Sequence, residues 1–492
     1  MSTRTRRETE APVRNPQLPR WLALGALCAA LAGCASVPPE TDSLPRQDLA
    51  RAQLAAGIHL AAEGWPAARW WRQYGDVQLD ALMERALTAG PSLATAAARI
   101  GAARSALAVD RAAGDSGLNL DAQANRQRYS GNGLFPEPIG GSYYSEETVK
   151  LDAHYDLDWW GKRRAQIAAS LGEVNARRAD YAMAEQALTA EVALRYFALQ
   201  GNWARLANLR QLTQLQDALV ADKVKRIAHG LATIDAQRQA EGDASALRQQ
   251  AALLETQAGR EREALRALLG ANGGALVDLR ARAGTAVAHA LPTRLGMELL
   301  ARRPDLQAAR WRIEASLNRI EAARAAFYPD IDLSASFGLD AVKLGKLLES
   351  GSRTLFIGPA LSLPLFDSGR LEARLGQARQ ERNEAIADYN QSVFTVVREV
   401  AQAGVELQGI EGQIVQQSTA QQASAALLGS AQARFKQGLA DRSTTLSAEI
   451  AVLKQRDGAL QLQSAQFGAE VTLIRALGGG YQADANLAQS TK

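Results

Sequence analysis

Few side chains in this 492-residue sequence have the type and spacing to do covalent or metal chemistry. Its histidines, His59, His154, His229 and His289, are scattered without the short intervals that metal ligation requires, so no metal site is expected. No glycine-rich phosphate loop follows a strand, and no serine or cysteine lies in a nucleophile setting, which argues against an enzyme. Arg302-Arg303-Pro304-Asp305 gathers charge, but a proline at the first helical position with an acid in the first turn explains it as a helix start. One thiol stands apart: Cys34 directly follows Leu31-Ala32-Gly33 at the end of an apolar run.

That run, Trp21 to Leu31, comes after Arg4, Arg6, Arg7, Arg14 and Arg20, the order of a secretory leader. It is too short for a permanent membrane helix, which needs about 20 residues. Leu31-Ala32-Gly33-Cys34 resembles the bacterial lipobox. The resemblance implies cleavage before Cys34, a diacylglycerol on its sulfur and acylation of the new amino terminus, with this covalent lipid in place of any cofactor. Ala35 stands where an aspartate would resemble an inner-membrane retention signal, which points to the outer membrane. Cys28 leaves with the leader, so no disulfide can form. The leader also accounts for three of the four net positive charges, and the nearly neutral remainder gives no reason to expect nucleic acid.

The elements that follow are set by composition and by a duplication. Apolar residues make up 47% of the chain but aromatics only 5%, and alanine dominates, a mix suited to long helices with thin seams rather than a bulky core. Leu87, Pro91, Leu93, Ala96, Arg99 and Ile100 recur as Leu300, Pro304, Leu306, Ala309, Arg312 and Ile313, 213 positions later. From Ala165 and Ala373 onward the offset becomes 208 and stays ungapped through Tyr181 and Tyr389, Gly230-Leu231 and Gly438-Leu439, and Leu269-Gly270 and Leu477-Gly478. Each half therefore reads helix, two strands, long helix, break, helix.

Strict alternation marks the strands. Ile331 to Asp340 alternates apolar with polar or small residues, and Leu355, Ile357, Leu361, Leu363 and Leu365 share one face of its partner, with Pro359 and Pro364 interrupting. In the first half Leu118, Leu120, Ala122 and Ala124 alternate with polar residues, as do Val149, Leu151, Ala153, Tyr155, Leu157 and Trp159. Strands of about ten residues match a tilted membrane strand, and the polar face would line a lumen. Four strands cannot close a usable barrel, and an open edge does not survive in lipid, so the chain must associate; three copies would give twelve strands. The segments from Lys162 to about His229 and from Arg370 to about Gln437 contain no proline and would each run about 100 Å as unbroken helices.

Asp156-Leu157-Asp158-Trp159-Trp160-Gly161-Lys162, Leu300 to Leu306, Phe327-Tyr328-Pro329-Asp330, Pro364 to Arg370 and Arg475 to Tyr481 together resemble the TolC-like outer-membrane efflux proteins, in the lipoprotein branch typified by OprM and NodT. The resemblance covers nearly the whole mature chain. It implies a mainly α fold: a homotrimer with a twelve-stranded membrane β-barrel on a periplasmic α-helical barrel, held in the outer membrane by lipid. It also implies docking to a periplasmic adaptor protein and an inner-membrane pump, and passive conduction of drugs or aromatic compounds. The chain then divides into a leader at 1–33, an equatorial anchor at 34–80 and a first repeat at 81–271, with its hairpin near 118–159 and tip turn near 230. A linker at 272–298 leads to a second repeat at 299–480, with its hairpin near 331–366 and tip turn near 438, and a tail at 481–492. By the same resemblance Gly230, Leu231, Gly438 and Leu439 form the docking tip, and Asp235, Asp441, Thr444 and Ser447 are the candidate aperture residues. The family pattern would place more carboxylates in the second half than Asp441 alone. The same glycines and aspartates would also serve as ordinary helix ends and caps.

Two other readings share parts of this pattern. A protein-secretion channel has the same fold, and a structural lipoprotein with a long coiled coil would use Cys34 and the helices while leaving both amphipathic hairpins without a role.

Overall fold

The computed structural model describes residues 37–40, 42–47, 67–114, 116–274, 276–282, 302–364 and 366–481; Cys34 and its leader, Trp65, His59 and His289 lie outside them. The fold is mostly helical with one antiparallel sheet, as the pattern of periods predicts. A 3₁₀ turn at Trp70–Tyr74 leads into α1 (Val77–Ala89) and α2 (Pro91–Ala112). Then come β1 (Gly117–Arg128), β2 (Tyr143–Asp156), α3 (Lys162–Ala228) and α4 (Ile234–Leu268). The second half repeats the order with α5 (Pro304–Ala325), β3 (Asp330–Ala341), β4 (Arg353–Ser362), α6 (Arg370–Lys436) and α7 (Arg442–Ala476). The duplication is kept to the residue: α3 and α6 are 67 residues each, α4 and α7 are 35. Among the described residues no helix is long and apolar enough to cross a membrane.

Two compact units divide the chain. One, built on residues 110–167 and 317–381, holds the sheet. The two hairpins join edge to edge in the order β1-β2-β3-β4, a pairing of β2 with β3 that alternation alone could not reveal. Two strand ends fall short of the alternating pattern: β2 stops at Asp156, before Leu157 and Trp159, and β4 stops at Ser362, before Leu363. Pro359 sits in β4, an edge strand, where a missing ladder donor is tolerated. Beneath the hairpins Ile320 and Phe327 pack on Leu375 and Ala378, and Val37 of the amino-terminal segment packs against this cluster. Arg379 holds the segment by donating to the carbonyls of Pro38 and Pro39, and Glu40 pairs with Arg324 at 3.2 Å.

The other unit holds the helical hairpins. The apolar stripe of α3, Leu188, Val192, Tyr196 and Leu199, is buried with Leu265, Leu269, Val471 and Ile474. The counterparts Val396, Val400 and Leu407 on α6, with Tyr389, are buried with Leu306, Ile313, Leu473 and Leu477. Trp70, Trp71 and Tyr74 join only the first of these cores. Tyr74 lies 4.8 Å from Phe197, which stacks on Phe467 at 4.6 Å.

Candidate functional site

The register places most apolar residues of the four strands on one face, with Phe356, opposite Ser336, on the other. Leu120 opposes Leu151, Leu151 opposes Phe337 and Phe337 opposes Leu355; Ala153, Ala335 and Ile357 form the adjoining row. This face is bare. Leu118, Leu120, Leu355, Ile357 and Leu361 are each more than 60% exposed. Leaving such side chains in water forgoes roughly 1.5–3 kcal/mol apiece, so a continuous band of them calls for lipid. The opposite face carries Asn119, Asp121 and Gln123 against Asp152, Lys150 and Thr148, with Ser334 and Ser336 beyond, which suits a water-filled interior. Asp156, Asp330 and Asp332 bring their carboxylates within 4.8 Å of one another at one end of the sheet, a juxtaposition of two repeats that histidine spacing could not signal. Lys162 neutralises part of it through Asp330 at 3.2 Å. β1 and β4 remain open edges.

Recurring sequence stretches meet in space where strands turn into helices. Trp160 stacks on Tyr328 at 4.7 Å and donates to the Pro329 carbonyl at 2.9 Å. Asp158, at φ 42°, accepts from the amides of Arg163 and Arg164 and so closes the start of α3; Asp367 does the same for α6 through Gly369 and Leu371. Arg303 is buried and reaches Asp305, Glu399 and the Ala476 carbonyl, which ties the start of α5 to the end of α7.

The far turns of the helical hairpins hold the other candidate residues. Gly230 and Gly438 both sit at φ 72°, a left-handed conformation that glycine adopts without a Cβ clash. At each, a six-to-one bond closes the helix: the Leu231 amide to the Arg226 carbonyl at 2.8 Å, and the Leu439 amide to the Arg434 carbonyl at 2.8 Å. Leu231 and Leu439 are 66% and 73% exposed, so each turn presents an uncovered leucine. Beyond the leucines the turns diverge. Thr233, not Asp235, caps α4 by accepting from the Ala236 amide, and Asp235 is an exposed acid in the first turn. Asp441 does cap α7, accepting from the Thr444 amide at 2.8 Å and hydroxyl at 2.6 Å. It also pairs with Arg226 of the first-repeat turn. The Thr444 hydroxyl above all, with the Thr444 amide, Ser443 and Arg226, holds the Asp441 carboxyl far below the usual carboxylate range despite partial burial. Ser447 donates back to the Ser443 carbonyl at 2.8 Å. Arg226, which sequence spacing does not single out, thus joins the two turns, and Lys223 adds a second link to the Ser443 hydroxyl at 3.5 Å.

A sheet with a bare apolar face, together with paired helical hairpins of equal length, defines the class as a membrane channel protein. The chain belongs to the outer membrane efflux protein family, whose model matches residues 82–271 and 295–479. It is similar to the multidrug resistance outer membrane protein MdtP of Shigella flexneri, 39% identical over 486 residues covering 95% of this chain and 98% of that protein. The multidrug resistance outer membrane protein MdtQ of Escherichia coli is 36% identical over 463 residues, covering 92% and 96%. Among solved structures, the outer membrane protein VceC of Vibrio cholerae aligns with a TM-score of 0.76 at 32% identity, over 85% of this chain and all of that one. The outer-membrane channel OprN aligns at 0.80 and 27%, over 91% and all of that chain. The protein is an outer-membrane efflux channel.

Proposed function

We propose that this chain is one third of an exit duct for drug-like small molecules. Three copies join β1 of one to β4 of the next, close a twelve-stranded barrel, and receive substrate from an inner-membrane pump through a periplasmic adaptor. The observation that carries this is the sheet itself: its apolar face is bare and both edges are open, so it is stable in lipid only when further strands complete it. The drug class follows the names of MdtP and MdtQ. The turns at Gly230-Leu231 and Gly438-Leu439 are the docking tip, their exposed leucines the natural contacts for an adaptor. Asp441 and Arg226 act as a closing clasp within each copy, with Asp235 free to face the aperture and Thr444 and Ser447 serving the cap. Cys34 carries the lipid.

Native mass spectrometry of protein extracted from outer membranes tests the assembly. Three chains, each heavier by the acyl groups on Cys34, are expected, and Cys34→Ala should lose the added mass while remaining in threes. A single-chain particle would overturn the reading. In cells lacking their own channel, the chain should lower accumulation of a fluorescent drug several-fold, and Leu120→Arg should abolish this.

A further inference from the structure

The sheet sorts its charges by face. Arg126 and Arg128 fall in line with Leu118, Leu120 and Ala122 on the apolar face, and Arg353 falls in line there with Leu355, Ile357 and Leu361. The acids alternate onto the polar face: Asp121, Glu146, Asp152, Asp332 and Asp340, with the base Lys150 among them. Glu147 is the carboxylate that stands on the apolar side with the arginines. All three arginines are exposed, and they stand at the hairpin ends of their strands, Arg126 and Arg128 in the last three residues of β1 and Arg353 as the first of β4. The helices α2, α3, α5 and α6 join the sheet at its other end, so the arginines belong to the membrane leaflet remote from the helices. Among the described residues they form no ion pair: Arg126 lies over the Tyr143 ring at 5.6 Å, and Arg128 donates to the Gly141 carbonyl at 3.3 Å. An arginine turned toward hydrocarbon is costly at mid-membrane and tolerated near the interface, where lipid anions are in reach.

Within one chain β2 and β3 separate Arg353 from the other two, but the strands that carry the arginines are the open edges. Gly117 and Ser362 are the helix-side ends of β1 and β4. Arg126 is nine residues from the first and Arg353 nine from the second, so the two stand at one height on the edges that closure joins. Like charges on neighbouring strands repel, and they do so more strongly beside hydrocarbon than in water, unless an anion sits between them. We infer that each seam, where Arg353 of one copy meets Arg126 and Arg128 of the next, seats an anionic lipid headgroup bearing two phosphates. This rests on the trimeric reading above and adds a ligand to its seams. Three guanidiniums offset by Glu147 leave two positive charges per seam, in keeping with two phosphates. Guanidinium forks match phosphate oxygens in pairs, and Tyr143, 64% exposed beside Arg126, is a side chain suited to the membrane interface. Because each site draws on two copies, the lipid also holds the seam closed.

Native mass spectrometry of the full chain in detergent, titrated with diphosphoryl lipid A, tests the site. Particles of three chains should hold up to three of these lipids, and should hold none when phosphatidylcholine is added at the same concentration. Arg128→Gln/Arg353→Gln should lower the bound fraction several-fold, whereas Arg85→Gln/Arg104→Gln, which removes two exposed arginines from α1 and α2, should leave it unchanged. Arg353→Gln alone should give a smaller loss on intact three-chain particles, which keeps the site testable where the double variant comes apart. Inorganic phosphate in excess should not displace the lipid; complete displacement would mark the seam as an ion site and overturn the proposal. Equal retention by wild type and both Arg353 variants would overturn it too, as would equal retention of phosphatidylcholine. A wild-type particle of single chains would instead remove the trimer, and this seam with it.

Discussion

The two tip turns start from the same chemistry and end differently. Both close on a glycine at φ 72° and expose a leucine, yet one hands the next helix to a threonine and the other to an aspartate that also holds Arg226 of its sister turn. The same asymmetry appears in the cores. Both repeats bury an aliphatic stripe, but only the first receives Trp70, Trp71 and Tyr74, and the carboxylate of Glu470 is buried beneath them. Duplication therefore supplied the scaffold, and divergence between the copies supplied the features that distinguish one side of the chain from the other.

The largest expected effect concerns the aromatic cluster. Trp71→Ala should cost about 3–5 kcal/mol, as removal of a large buried side chain does, read as a lower denaturation midpoint in detergent. Val396→Ala in the second core, which removes far less volume, should cost less, and equal losses would contradict the claim that the aromatics anchor one side.

Glu470 comes next. Burial pushes its carboxyl up to about 7, against the opposing pull of the hydrogen bond that Tyr74 donates to it at 3.2 Å. Because the folded value is raised, the folded state holds the proton more tightly than the unfolded chain. The stabilisation is full below the ordinary glutamate range and is lost as pH rises through about 7, on the order of 3 kcal/mol at most. Melting between pH 4 and 8 should show wild type falling with pH and Glu470→Gln nearly flat; parallel curves would place the proton elsewhere.

The turns give smaller effects on stability but a contrast in function. Asp441→Ala removes a cap and an ion pair, about 1–2 kcal/mol, whereas Thr233→Ala removes only a cap, about 1 kcal/mol. Asp441→Ala should raise leak of small antibiotics into cells, and Thr233→Ala should leave it near the wild-type level. Smallest and most symmetric, Gly230→Ala and Gly438→Ala should each cost about 1 kcal/mol, since both place a Cβ at positive φ in open surroundings.

Much of this architecture is legible in the amino-acid sequence. Periodicity locates all four strands and both long helices, because alternation and the 3.6-residue stripe are local properties, and the ungapped offset of 208 requires equal helix lengths in the two repeats. The pairing of β2 with β3 is hidden, since it joins segments from different repeats and leaves no local trace. Arg226 is hidden for the same reason: its partner is 215 residues away, and arginine near a helix end reads equally well as a partner for the helix dipole. Asp235 reads as a possible cap where Thr233 is the residue that accepts the bond, because both types suit a helix start and only backbone geometry decides between them. Cys34 rests on its sequence setting alone.

The most direct test of the channel is single-molecule conductance in planar bilayers, comparing wild type with an Arg226→Ala/Asp441→Ala variant. Discrete steps are expected from both, with the variant open for a larger fraction of time because the clasp between the turns is gone. Three-chain particles that insert and yet pass no current, in either form, would contradict the account.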